Sequence, residues 1–122
     1  MKKKILLIED DELIREMYEG ELKKAGFEVS AVTTGEEGLK TLEQETFDLI
    51  LLDIMLPGIN GLEILKQLKQ NPKMRNLKVV LLTNLGQETV IKQGFELGAT
   101  GYLIKAAYNP DQIVQEVKNF TS

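Results

Sequence analysis

The chain has 122 residues, 43% hydrophobic and 28% charged, enough for one domain with a buried core and too apolar for a disordered tail. A net charge of -4 and a pI of about 4.9 leave no basic footprint for a phosphate backbone, so nucleic-acid binding by this chain is not expected. Cysteine is absent, which excludes disulfides, thiolate metal sites and cysteine nucleophiles and is compatible with a reducing cytoplasm.

The opening MKKKILLIEDD imitates a signal peptide, but the apolar run Ile5 to Ile8 is too short and acids follow at once. No segment approaches membrane-spanning length, so the expectation is a cytoplasmic protein without a membrane partner. The first strand is KILLI (4–8), followed by a helix with Ile14, Met17, Tyr18, Leu22 and Ala25 on one face and Gly26 as its stop. A second strand, FEVSAV (27–32), leads to TGEE, where Thr34 and Glu37 fit a capping box ahead of Leu39 and Leu42. DLILL (48–52) is the third strand; the next helix opens at Asn60, with Glu63 three residues on, and carries Leu62, Leu65 and Leu68. KVVLL (78–82) precedes a helix through Val90, Ile91 and Phe95 to Gly98. GYLI (101–104) is the last strand, and the last helix has Asn109 as cap, Pro110 at its first position and Ile113, Val114, Val117 and Phe120 on its apolar side.

This alternation reads as (βα)5. The runs ILLI, LILL and VVLL are continuously apolar, as parallel strands covered on both faces require. Right-handed crossovers then give an open doubly wound α/β sheet, a three-layer sandwich, most economically in the order 2-1-3-4-5. Ligands of such sheets bind at the carboxyl ends of the strands, at the switch point between strands 1 and 3.

The residues expected at that edge carry chemistry. Strand 1 runs into Glu9 and Asp10, strand 3 into Asp53, strand 4 into Thr83 and strand 5 into Lys105. Three carboxylates converging there would repel, and a divalent cation removes the conflict; an all-oxygen site that keeps several waters suits magnesium. Asp53, between the metal and Lys105, is placed to attack phosphorus while magnesium and the lysine neutralise the equatorial oxygens and Thr83 donates a hydrogen bond. The product, an aspartyl phosphate, would add roughly 1 to 2 negative charges to this edge. Singly, each residue has an ordinary reading: acids after a strand cap the next helix, as Asp11 and Glu12 are placed to do, an Asp at a strand end forms a turn, and threonine and lysine are common at strand ends. One site is a more economical account than four coincidences on one edge.

With these residues assembled, the chain resembles the receiver domains of two-component response regulators over its whole length, 1–122. The resemblance is carried by ILLIEDD (5–11), DLILLDIMLPGINGLEIL (48–65), VVLLTN (79–84) and GATGYLIK (98–105), with the spacing of Asp53, Pro57, Gly58 and Gly61 the most specific part. It implies that Asp53 accepts a phosphoryl group from a sensor histidine kinase or phosphotransfer protein, and that Glu9, Asp10, Asp53 and the backbone carbonyl of Met55 bind magnesium. It further implies that Thr83 and Lys105 bind the phosphoryl oxygens and that Tyr102 is the switch aromatic, moving inward as Thr83 shifts; an ordinary half-buried strand aromatic is the alternative for Tyr102.

Three departures from the family pattern stand out. Asn84 follows the threonine where a small residue is usual. Ala106 follows the lysine where proline across a cis bond is usual, and a cis bond to alanine would cost on the order of 3–4 kcal/mol, which points to a different loop path. Ile91, Leu97, Thr100, Gly101 and Gln115 stand where DNA-binding dimeric regulators usually carry an ion-pair network, which argues against that subfamily. Met55 and Leu85, two residues beyond Asp53 and Thr83, cannot hydrogen-bond an attacking water, so slow self-dephosphorylation is expected.

Rival readings are weaker. A flavodoxin would share the architecture, but IEDDEL would repel a flavin phosphate. A haloacid-dehalogenase-type phosphotransferase needs a second acid two residues beyond its aspartate, where Met55 stands. A degenerate receiver serving as a phosphorylation-independent docking module remains the alternative to a switch. The expected protein is not an enzyme beyond catalysing its own phosphorylation and slow dephosphorylation. Its readout surface for a downstream effector is expected on the fourth helix, fifth strand and fifth helix, with Val90, Ile91, Tyr102 and Ile113 as anchors, and its kinase-docking contacts at Leu13 and Met17, core packing being the other reading of Met17. No output domain lies within these residues, which suits a stand-alone regulator or a receiver excised from a longer chain.

Overall fold

Alternate residues of the apolar runs face opposite layers, and this is why those runs are apolar throughout. The computed structural model describes residues 2–84, 86–105 and 109–122. In chain order the elements are β1 (Lys4–Ile8), α1 (Glu12–Lys24), β2 (Glu28–Val32), α2 (Gly35–Gln44), β3 (Leu49–Asp53), α3 (Gly61–Gln70), β4 (Val79–Thr83), α4 (Glu88–Glu96), β5 (Gly101–Ile104) and α5 (Pro110–Thr121). The strands form one parallel sheet in the order β2-β1-β3-β4-β5, the order expected from right-handed crossovers. Ile5, Leu7, Leu49, Leu51, Val80 and Leu82 pack with Tyr18, Leu22, Ile113 and Val117 of α1 and α5. Leu6, Ile8, Ile50, Leu52, Val79 and Leu81 pack on the other face with Leu42, Ile64, Leu65 and Leu68 of α2 and α3.

The helix starts follow local chemistry. Asp11, Thr34, Asn60 and Asn109 each accept a backbone N–H three residues on, from Ile14, Glu37, Glu63 and Gln112. At α5 the box is complete, because Gln112 Oε1 accepts from the Asn109 N–H at 2.8 Å. At α2 it is only half formed: the Glu37 carboxylate accepts from the hydroxyls of Thr33 and Thr34 instead of the cap's backbone.

Several sequence expectations need correction in detail. β2, β3 and β4 each begin one residue later than expected, and at β3 the reason is visible: the Asp48 carboxylate accepts the Lys4 N–H at 2.8 Å. Met17 and Phe95, expected on the buried stripes of their helices, are 40% and 45% exposed. Ile113 is fully buried among the α1–α5 core residues and cannot anchor a partner; Val90 and Ile91 are half-buried. The Lys105–Ala106 bond and Leu85, both singled out in the sequence, involve residues outside those described. Among the described residues, no helix is long and apolar enough to cross a membrane.

Candidate functional site

Strand order determines which side chains meet. Glu9 directly follows β1, Asp53 ends β3, Thr83 ends β4 and Lys105 directly follows β5, and these four strands are neighbours in the sheet. Ladder bonds hold the edge in register: the Ile54 N–H donates to the Leu82 carbonyl at 3.1 Å, and the Lys105 N–H to the Thr83 carbonyl at 2.9 Å. Glu9, Asp53 and Thr83 are buried at 0%, 1% and 1% exposure, whereas Asp10 is exposed.

The Lys105 ammonium is the cation of the cluster. It donates to Glu9 Oε1 at 2.9 Å and lies 3.1 Å from Asp53 Oδ2. The remaining oxygens are held by backbone: Glu9 Oε2 accepts the Asp11 N–H at 3.0 Å, and Asp53 Oδ1 accepts the Met55 N–H at 3.1 Å. Arg15 reaches back from α1 to the carbonyls of Glu9 and Asp10, at 3.1 and 3.3 Å, and ties the acidic turn to its helix. The start of α3 presses on the other flank. The Gly61 N–H donates to the Ile54 carbonyl at 2.9 Å, and a Cβ on Gly61 would collide with the Asp53 carbonyl oxygen and lie 2.7 Å from Ile54 Cα.

Burial and the neighbouring Glu9 carboxylate push the Asp53 carboxyl from its ordinary value of 3.8 up to about 7, with Lys105 pulling the other way. For Lys105, burial opposes the charged form, but the hydrogen bond to Glu9 and the fields of Asp53 and Glu9 outweigh it and raise the pKa. The donor set fits a magnesium ion. Glu9, Asp10 and Asp53 each place a carboxylate oxygen within 4.8 Å of the others, and only hard oxygens are offered. Three carboxylates against one ammonium leave an excess of negative charge that a divalent cation would cancel.

A pH dependence follows for the metal-free protein. The folded state keeps the Asp53 proton up to about pH 7, whereas the unfolded chain releases it near 3.8. The stabilising contribution is thus full below 3.8 and is lost as pH rises toward 7. By pH 8 the loss is at most on the order of 4 kcal/mol, at roughly 1.4 kcal/mol per unit. Urea melts with a chelator present are expected to find Asp53→Asn more stable than wild type at pH 8, with the advantage shrinking toward pH 5. A wild-type stability that is flat over this range would mean that the carboxyl ionises normally in the fold.

Residues 5–118 match the family model described as the response regulator receiver domain. The chain belongs to that family. It is similar to the alkaline phosphatase synthesis transcriptional regulatory protein PhoP of Bacillus subtilis (strain 168), with 39% identity over 97% of this chain and 48% of that protein. Among solved structures it is similar to the Mn(2+)-bound form of response regulator Rcp1, with 31% identity, a TM-score of 0.83, and coverage of 97% of this chain and 93% of that one. It is also similar to the phosphorylated cyanobacterial phytochrome response regulator RcpA, with 33% identity, a TM-score of 0.83, and coverage of 98% and 91%. The receiver spans about half the length of the curated relatives it matches. Those relatives are described as transcriptional regulatory proteins. At positions of the missing ion-pair residues this receiver uses side chains for packing: Leu97 lies against the α2–α3 core, and the space a Cβ on Gly101 would take is filled by the Phe120 ring. Among the described residues no ion pair joins α4, β5 and α5 to one another.

Glu9, Asp10, Asp53 and Lys105 of this receiver thus lie together at the sheet's carboxyl edge, and Thr83 ends the strand next to Asp53 with its hydroxyl turned elsewhere. Tyr102 stands apart from them at the surface, 41% exposed and edge-on to Phe95, with ring centroids 6.0 Å apart at 86°. Two polar residues near the edge were missed in the sequence, Arg15 and Gln87. The Thr83 hydroxyl donates to Gln87 Oε1 at 2.7 Å, and the same oxygen accepts the Asn84 N–H at 3.3 Å. The available signal was an absence: alone among the helices, the fourth has no Ser, Thr, Asp or Asn directly before it.

Proposed function

We propose that this receiver is a phosphorylation-dependent signalling switch whose phosphoacceptor is Asp53. The observation that carries the reading is a buried carboxylate at the sheet's carboxyl edge, 3.1 Å from the Lys105 ammonium and beside two further acids. Glu9, Asp10, Asp53 and the backbone carbonyl of Met55 would hold magnesium, a reading supported by the relative whose structure is Mn(2+)-bound. When bound, magnesium supplies positive charge beside the phosphoryl oxygens and lowers the proton affinity of Asp53.

The chain's own residues then divide the work. An Asp53 carboxylate oxygen forms a bond to phosphorus as the P–N bond of a donor phosphohistidine breaks; the electron pair leaves with the imidazole nitrogen, which is protonated. Lys105, already turned toward Asp53, neutralises a phosphoryl oxygen, and Thr83 donates its hydroxyl proton to another. That donation draws the end of β4 toward Asp53 and biases Tyr102 to leave Phe95 and turn inward, changing the α4–β5–α5 surface for an effector protein or domain. Leu13, 79% exposed, and Met17 offer an apolar contact on α1 for the sensor kinase or phosphotransfer protein. Met55 has no group to orient water, in keeping with a long-lived phosphoryl group.

Intact mass after incubation with magnesium and acetyl phosphate tests the reading. One added phosphoryl group is expected on the wild type, and none on Asp53→Ala or without magnesium. A folded wild type that gains no mass from acetyl phosphate or from a phosphohistidine donor would instead support a docking module.

A further inference from the structure

Thr83 has one hydroxyl proton and two acceptors in reach, Gln87 Oε1 at 2.7 Å and the Asn84 carbonyl at 3.3 Å, so the shorter bond to Gln87 is the principal one. The atom of Gln87 that faces Thr83 also faces the Asn84 N–H, which can only donate. That atom is therefore the amide oxygen, which only accepts, so the Thr83 hydroxyl must donate to it, at 2.7 Å. Gln87 occupies the position just before α4 yet makes no side-chain bond to the helix's own N–H groups. Its amide oxygen is spent on Thr83 and Asn84 and ties the end of β4 to the start of α4.

We propose that Gln87 is a positioning residue that latches Thr83 away from the phosphoryl group and so sets the threshold of the switch. The proposal rests on the reading that Thr83 donates to phosphoryl oxygens. Those oxygens are also acceptors, and a hydroxyl proton turned toward one of them is withdrawn from Gln87 Oε1. Phosphorylation must therefore break the Thr83–Gln87 bond before the loop can move, and the resting arrangement is favoured by the strength of that bond.

Beryllofluoride with magnesium, a non-covalent mimic of the phosphoryl group on a carboxylate, provides the test, with affinity read by titration and the Asn84 amide and Tyr102 ring followed by NMR. Gln87→Ala is expected to bind it about fivefold more tightly than wild type, the worth of one net hydrogen bond. Gln87→Glu, whose ionised carboxylate is a stronger acceptor, is expected to bind it more weakly. In a Thr83→Val background, which has no hydroxyl to release, Gln87→Ala should have no effect; a general loosening of the loop would act there equally. Gln87→Ala affinity equal to or below wild type, or the same gain in the Thr83→Val background, overturns the latch. If wild type binds no beryllofluoride and gains no phosphoryl group at Asp53, the phosphorylation reading fails and the latch falls with it.

Discussion

Lys105→Ala is expected to destabilise the metal-free protein by about 3–5 kcal/mol, the usual cost of leaving a buried charge without its partner. The ammonium contacts Glu9 at 2.9 Å and Asp53 at 3.1 Å, and its side chain is only 8% exposed, so solvent screens little of the interaction. Asp53 already favours its proton and can discharge itself by keeping it, so the lower half of that range is the better expectation. For a domain of this size the melting temperature should fall by roughly 12–16 °C. Added magnesium should restore much of the stability by cancelling the same carboxylates. It should not restore phosphoryl uptake, which is expected to stay about 10²-fold slower because no donor meets the developing phosphoryl charge on that side. Lys105→Arg separates charge from fit, since its planar guanidinium keeps the charge but not the compact point donor. Urea melts of Lys105→Ala within 1 kcal/mol of wild type, with and without magnesium, would mean that the cluster is screened like a surface ion pair.

The second large effect is expected at Gly61. It begins α3, and a methyl group there would meet backbone rather than a side chain that can swing away: the Asp53 carbonyl oxygen and Ile54 Cα. Alanine favours helix over glycine by about 1 kcal/mol, so local propensity alone argues for a small gain. The collision outweighs it. Overpacking against a rigid neighbour costs about 1–3 kcal/mol or more, and relief here requires moving α3 off β3. That shift carries the Asp53–Met55 backbone with it, so Gly61→Ala should lose magnesium affinity as well as stability. Gly20, inside α1 with nothing within 4 Å of its Cβ position, is the control: Gly20→Ala should stabilise by about 0.5–1 kcal/mol. Thermal melts and magnesium titrations of the two variants check this. The idea would be sunk by a Gly61→Ala protein as stable as wild type with unchanged magnesium affinity.

The element order and the sheet order were legible because they depend on local pattern. Apolar runs of strand length alternate with 3.6-residue periodicity, the caps stand at helix starts, and chain order with right-handed crossovers leaves one economical arrangement. The edge residues were legible for the same reason, since each marks the carboxyl end of a strand. Errors fell where a residue's neighbours come from elsewhere in the chain. Met17 and Phe95 have helical spacing that fits a buried face, yet the adjoining helices do not cover them. Ile113 seemed available for a partner, but α1 and the sheet enclose it.

The sequence by itself thus determined the receiver architecture and which side chains arrive at the carboxyl edge of its sheet, because strand ends and their order follow from contacts near in sequence. Only the tertiary structure decided how those side chains share protons and charge. It buried Glu9 while leaving Asp10 exposed, and it paired Glu9 with Lys105 across 96 positions of chain. It likewise set the first residue of α3 against the Asp53 backbone and turned the Thr83 proton to Gln87. Each of these depends on where backbone segments sit to within a few tenths of an ångström, which strand register and helix packing set and local pattern does not encode.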